Sequence, residues 1–330
     1  MKKLILFALI ATLTACSNDS EQTQVPVADK QPIVLGTGMP TMRSNSQTLQ
    51  ATELEAGTEV GVYIYFKDET ETDATYSYGY KNIAYTVSGT AGDLNIVTTA
   101  EQPYYPDDKA KKIDIYAFAP RSVYTDNDEL NTLTAVNGFS TIANQYEPAD
   151  YRASDFVWGK KTVDEAPTTA GTKQEITMKH MLSKVNINIA DGNGVNFSSL
   201  AGATIKLNGV KLLGTVDLKT GAVTLRSGTN DATAVTLTSS TSDTGYLDDN
   251  TTACYTSSAV IIPQDIAALD NFIEIKLANG STYKYKTTAT TNFLPKTKYT
   301  YDITLSAAGI QLTTTITDWT AGGTTSGTAE

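Results

Sequence analysis

The chain has 330 residues and a formal charge of −11, with 40% hydrophobic and only 18% charged residues. That balance describes a packed chain and excludes a disordered one. A protein this acidic, with no basic stripe, repels phosphate backbones, so nucleic acid is a poor partner.

Lys2 and Lys3 precede an apolar run over residues 4–13. This is the charged region and hydrophobic region of an export signal, too short for a membrane helix. It ends in Leu13-Thr14-Ala15-Cys16, the pattern of a bacterial lipobox. The expected signal peptide is residues 1–15, cut between Ala15 and Cys16. Cys16 then carries the lipid, a diacyl group with a palmitate-type amide-linked chain, and each buried methylene contributes about 0.8 kcal/mol to the anchor. Loss of Lys2 and Lys3 takes the formal charge from −11 to −13. Cys254 then has no second cysteine with which to form a disulfide, so stability rests on the core. No later segment is apolar for long enough to span a bilayer as a helix.

Residues 16–32 are polar and read as a tether. Residues 33–39, beginning Ile33-Val34-Leu35, form a short strand candidate, followed by Pro40 and Arg43-Ser44. Strands are expected over 59–67, 82–87, 94–99 and 112–119, while 120–150 is polar and carries little pattern. From Gln174 the residues Ile176, Met178, His180 and Leu182 alternate, and Val185, Ile187 and Ile189 resume after a slip of one. A slip inside a strand predicts a bulge or a handover between sheets. Further strands are expected over 205–213, with Gly209 marking a bulge, and over 216–218, 222–225, 235–237 and 258–262. Residues 263–270 suggest one helical turn. Asn279-Gly280 lies between two apolar runs and is a strong hairpin signal.

The last long stretch is the most regular. Tyr299, Tyr301, Ile303 and Leu305 sit at spacing two, and Ile310, Leu312 and Ile316 resume the period after Gly309. The pattern predicts a long hairpin with a four-residue loop over 306–309. Short strands at such spacing argue for an all-β protein built of sandwiches, and the polar segment 166–172 is the expected boundary between two of them.

Chemistry-bearing motifs are absent. There is no phosphate loop, zinc pattern or nucleophile elbow, so no catalytic residue, cofactor or metal is expected and the protein is not expected to be an enzyme. His180 is the only histidine and lies in an alternating apolar strand, as a satisfied core residue does. The acidic clusters around Asp126 and Asp248 lack the full spacing of a calcium loop. Trp158 and Trp319 also sit in apolar contexts.

Four features, in order, resemble the fimbrillins, also called type V pilins, of Bacteroidales-type Gram-negative bacteria. They are the lipobox at Cys16, then Tyr105-Pro106 with Ile113-Asp-Ile-Tyr-Ala-Phe-Ala-Pro120. Phe156-Val-Trp-Gly159 with His180-Met-Leu-Ser-Lys-Val185 comes next, and last Phe293-Leu-Pro-Lys-Thr-Lys-Tyr-Thr-Tyr-Asp-Ile-Thr-Leu305 with Ile316-Thr-Asp-Trp319. Lys296 departs from the pattern, since many relatives place Gly there. The resemblance implies two tandem transthyretin-like β-sandwich domains, here 33–170 and 171–330. It implies a surface lipoprotein of the outer membrane, matured by an arginine-specific protease that removes the first strand, and a groove refilled by a strand of another fimbrial subunit.

Carried onto this sequence, the cut falls between Arg43 and Ser44. The exchanged strand holds Ile33, Val34 and Leu35, capping the edge of its own sheet until released. The donor strand carries Ile310, Leu312 and Ile316, followed by a Gly- and Thr-rich tail. The partners implied are fimbrial subunits, the outer membrane through the lipid, and host or bacterial surface ligands. The alternative reading is a surface glycan-binding lipoprotein with exposed Tyr and Trp as the sugar platform.

Overall fold

A computed structural model of the chain describes residues 30–38, 54–67, 77–88, 92–97, 100–108, 111–121, 135–228, 230–238, 244–247, 251–319 and 327–328. The first strands are β1 Val34–Gly38, β2 Glu59–Lys67, β3 Ser77–Val87, β4 Asp93–Ile96, β5 Lys112–Ala119 and β6 Ala135–Ser140. Helix α1, Pro148–Ser154, precedes β7 Val157–Val163, β8 Lys173–Thr177 and β9 Lys179–His180. Then come β10 Ser183–Asp191, β11 Thr204–Val210, β12 Leu213–Asp217, β13 Val223–Leu225, β14 Thr233–Thr238, β15 Thr244–Tyr246 and β16 Ala253–Ile261. The last are β17 Gln264–Ile266, β18 Ile273–Lys276, β19 Thr282–Tyr285, β20 Thr291–Phe293, β21 Thr297–Ser306, β22 Gly309–Asp318 and β23 Gly327–Thr328. The protein is all-β, as the alternating sequence requires.

The first sheet runs β8-β1-β4-β3-β2-β5-β7-β9. Its middle strands are covered on both faces, and their alternation sorts side chains between two cores. Val60, Val62 and Ile64 of β2 join Ile113, Ile115 and Ala117 of β5 in one buried cluster. Tyr63 and Tyr65 join Tyr116 and Phe118 in another. The terminal strands of the sheet, β8 and β9, are separated only by Met178, whose N–H donates to the Gly38 carbonyl at 2.8 Å. One extended segment therefore pairs with β1 through its first half and with β7 through its second. The sheet thus closes on itself around the first cluster, which includes Ile33 and Leu35.

After β9 the chain changes sheets. β10 lies in a six-stranded sheet ordered β15-β16-β10-β21-β22-β23, parallel to β21 and antiparallel to β16. This is the handover that the slip after Leu182 predicts. A four-stranded sheet, β14-β11-β18-β19, faces it. Val185, Ile187, Ile189 and Ile303 from one sheet and Ile205, Leu207 and Ile275 from the other share a buried cluster. The tyrosine-rich cluster also draws on later residues, among them Val216, Val260, Ile262 and Trp319.

Several local expectations hold. β11 and β14 slip register between Asn208 and Val210, so Gly209, with φ +82°, sits at a bulge. β18 and β19 pair around Asn279-Gly280, whose glycine has φ +90°. Others need correction. Residues 264–266 are strand and not a helical turn. Gln264 and Ile266 are buried and Asp265 is exposed, which is period two, and the strand pairs with β20. The C-terminal hairpin has a two-residue connection, Ala307-Ala308, because Ser306 and Gly309 still pair. Strand β3 begins at Ser77, five residues before the expected start. Asn82, with φ +41°, breaks its alternation, and the β2–β3 register slips alongside. The polar stretch 120–150 contains β6 and the start of α1.

Candidate functional site

The strand that opens the described chain is the natural place to look for exchange. The sequence places β1 as a cap on the edge of its sheet; the structure instead inserts it between two neighbours. Leu35 and Gly36 pair antiparallel with Leu94 and Asp93 of β4, and residues 34–38 run parallel to Lys173–Thr177 of β8. Backbone bonds extend the seat at both ends. The Ile33 N–H donates to the Pro103 carbonyl at 2.9 Å and the Thr37 N–H to the Gly92 carbonyl at 2.8 Å. The inward side chains are few. Ile33 and Leu35 are each 1% exposed, and Thr37 is buried with its hydroxyl donating to Gly92 O at 3.1 Å. Val34 faces the other way and is half-buried.

Gly36 also faces outward, and an ionic strap crosses it. Lys173 Nζ on β8 lies 2.6 Å from Asp93 Oδ1 on β4 and 2.7 Å from Glu175 Oε1. The two carboxylates hold the Lys173 ammonium above the usual lysine range. β1 separates β8 from β4, so the Lys173–Asp93 pair spans it. A Cβ added at Gly36 would lie 2.8 Å from Glu175 Oε2 and 2.9 Å from Lys173 Cδ. A side chain at position 36 would displace the strap, and glycine leaves it undisturbed.

The expected donor residues lie on β22. Its whole length pairs with β21. Ile310, Leu312 and Ile316 are half-buried against the core of the second pair of sheets. On its other side β22 pairs, among the described residues, only with β23 at Thr315 and Ile316. The strand is therefore next to the edge of its sheet.

The end of β22 is pinned elsewhere. Trp319 is 1% exposed and stacks on His180, ring centroids 4.0 Å apart and planes 7° off parallel. The Trp319 backbone N–H donates to the Lys296 carbonyl at 2.7 Å. His180 Nδ1 lies 2.9 Å from Asp155 Oδ1. His180 is thus the satisfied core histidine expected from its strand. Lys184 completes the cluster, its Nζ 5.7 Å from the Tyr151 ring centroid and 6.0 Å from that of Trp319. Burial pulls the Lys184 ammonium down to about 7, with Asp155 opposing and Lys298 adding to the fall. Trp158 is half-buried, with its indole N–H donating to Leu218 O at 2.7 Å.

Ala15, Cys16, Arg43 and Ser44, the acidic clusters near Asp126 and Asp248, and most of the tail lie outside the described residues. Among the described residues no group of three potential metal ligands occurs. No helix among them is long and apolar enough to cross a membrane. Sequence reading missed the strap and the partners of His180. Gly36 inside a strand and Lys184 inside an apolar alternation were the available signals.

A family model described as fimbrillin-like matches residues 44–319. A curated protein of Bacteroides uniformis, a candidate fimbrium subunit called Fim1C, is 25% identical over 328 residues, which is 97% of this chain and 96% of that protein. Two solved structures share the fold. A candidate cell adhesion protein from Bacteroides ovatus aligns with a TM-score of 0.66 at 16% identity, over 88% of this chain and 99% of its own. A fimbrial protein from Bacteroides vulgatus aligns with a TM-score of 0.53 at 17% identity, over 87% and 99%.

Proposed function

The chain belongs to the fimbrillin-like family, and from that premise we propose that it is a structural subunit of a surface fimbria, assembled by β-strand exchange with other fimbrial subunits. In this reading the chain is exported as an outer-membrane lipoprotein through Cys16. An arginine-specific protease cuts between Arg43 and Ser44. The N-terminal piece, no longer covalently tied, leaves with β1, and a strand of a neighbouring subunit takes its place. The fimbria so built supports adhesion to host or bacterial surfaces, and the subunit acts by binding rather than by catalysis.

The observation that carries this reading is the seat of β1. The strand lies between β4 and β8 and contributes Ile33 and Leu35 to a closed core. Removing it would open a groove with backbone donors and acceptors on both walls and two vacated apolar pockets. Each pocket stabilises an occupant by about 1.5–3 kcal/mol when filled. Such a groove favours a replacement strand: ladder bonds give affinity and side-chain pockets give register. The occupant we assign is β22 of a second copy. Glycan binding is less supported, because Trp319 is buried in the His180 cluster and of the tyrosines only Tyr146 stands out as exposed among the described residues.

Arg43→Ala tests the processing step. Mass spectrometry of the purified subunit should show the variant retaining residues 33–43 where the parent has lost them. Loss of the same segment in the variant would place the cut elsewhere.

A further inference from the structure

Strand β1 and strand β22 carry the same spaced pattern. β1 with the residue before it reads Ile33-Val-Leu35-Gly-Thr37, and β22 reads Ile310-Gln-Leu312-Thr-Thr314. The three residues of β1 that face the core, Ile33, Leu35 and Thr37, are matched in identity and spacing by Ile310, Leu312 and Thr314. The positions between them face outward and differ. At one of these the difference has a steric consequence: Gly36 corresponds to Thr313.

We infer that β22 of a second copy enters the groove in one register, with Ile310, Leu312 and Thr314 in the seats of Ile33, Leu35 and Thr37, and that the Lys173–Asp93–Glu175 strap discriminates against it at Thr313. This inference rests on the strand-exchange reading above. Run in the direction of β1, a donor in this register places the Thr313 side chain where the strap lies. A Cβ at that point meets Glu175 Oε2 at 2.8 Å and Lys173 Cδ at 2.9 Å. The strap must swing aside for β22, whereas β1 passes beneath it as glycine. All three strap residues are partly exposed, so the ion pairs can open at modest cost. The strap therefore makes the groove prefer its own first strand, which carries glycine at that position, over the donor. A shift of one residue would turn Ile310 and Leu312 outward, and a shift of two would put Leu312 or Thr314 in the wrong pocket.

The test uses the full chain with a site-specific protease sequence inserted between Arg43 and Ser44, nicked so that β1 is held without a covalent link. Fluorescent peptides spanning 309–317 are added, and their incorporation is followed by anisotropy. The parent peptide should enter. A Thr313→Gly peptide should enter about five to ten times faster, the size expected if opening a partly exposed ion-pair strap limits entry. In a Lys173→Ala chain the two peptides should enter at equal rates. A Leu312→Asp peptide should stay out. Equal rates for the parent and Thr313→Gly peptides in the Lys173-containing chain would overturn the inference. So would exclusion of both while a peptide of residues 31–39 enters, a result that leaves strand exchange standing.

If that β1 peptide also stays out, the strand-exchange reading fails, and the strap is judged on the intact chain alone. There Gly36→Thr should lower the urea midpoint clearly with Lys173 present and much less in the Lys173→Ala background. Equal losses in both backgrounds would show that the strap does not police position 36.

Discussion

Lys184 and His180 show how a buried charge and a buried ring are accommodated in the tyrosine-rich cluster. Lys184 is 1% exposed, and burial pulls its ammonium down to about 7. In the unfolded chain a lysine titrates near about 10.4, so between these values the unfolded state binds more protons and stability rises with pH. Buried tyrosines act in the opposite sense above them. Desolvation by burial raises Tyr85, Tyr151 and Tyr301, so the stability they contribute is present below about pH 10 and is lost above it. Urea midpoints should therefore climb from pH 7 to about pH 10 and fall beyond it. Lys184→Met should raise the midpoint at pH 7 and flatten the climb; an unchanged pH profile would show that the amine is not held in its neutral form. Trp319→Ala removes the ring that stacks on His180 and should cost about 3–5 kcal/mol in urea unfolding. A loss under 1 kcal/mol would mean that the C-terminal strand is not anchored there.

The elements were unevenly legible. The C-terminal hairpin could be read because every second residue from Tyr299 to Leu305 faces the core, and its period survives the turn. The handover after Leu182 could be read because a slip of one residue sends the next apolar set to another sheet. Helix α1 escaped because seven residues give no useful periodicity; Pro148, inside its first turn, was the only cue. β17 was misread since Pro263 and two alanines resemble a helix start, while Ile266 in fact pairs across to Thr291. At the site itself Ile33 and Leu35 were visible as a short apolar run. The strap was not, because Lys173 and Asp93 are brought together only by the two strands that flank β1. Leu35→Ala tests the seat at this scale. It should destabilise the intact protein by about 2–5 kcal/mol and speed the loss of β1 from a nicked chain, read by native mass spectrometry. Unchanged or slower release would contradict a role for Leu35 in holding β1.

At the scale of the molecule, the chain resolves into a closed first sheet and a facing pair of later sheets, with the aromatic cluster drawing on both. We propose that the later sheets fold independently. A fragment beginning at Met181 leaves β8 and β9 with the sheet they complete, and it should show cooperative unfolding of its own. A fragment without a cooperative transition would mean that the later sheets need what precedes Met181, β6 on β12 and the aromatic cluster among it. Assembly by strand exchange requires β1 to leave before subunits join. Gly38 and Thr177 are register partners on β1 and β8. Thr177 is exposed, and a Cβ at Gly38 meets open space, so the double variant Gly38→Cys, Thr177→Cys can form a disulfide within the usual span. Cys254, the other thiol among the described residues, is buried. The most direct measurement is the assembly state of this variant after protease treatment, by electron microscopy and gel ladder, oxidised and then reduced. The account predicts monomers while the disulfide holds β1 in place and fibres once a reductant frees it. Fibres of equal length in the oxidised sample would contradict it.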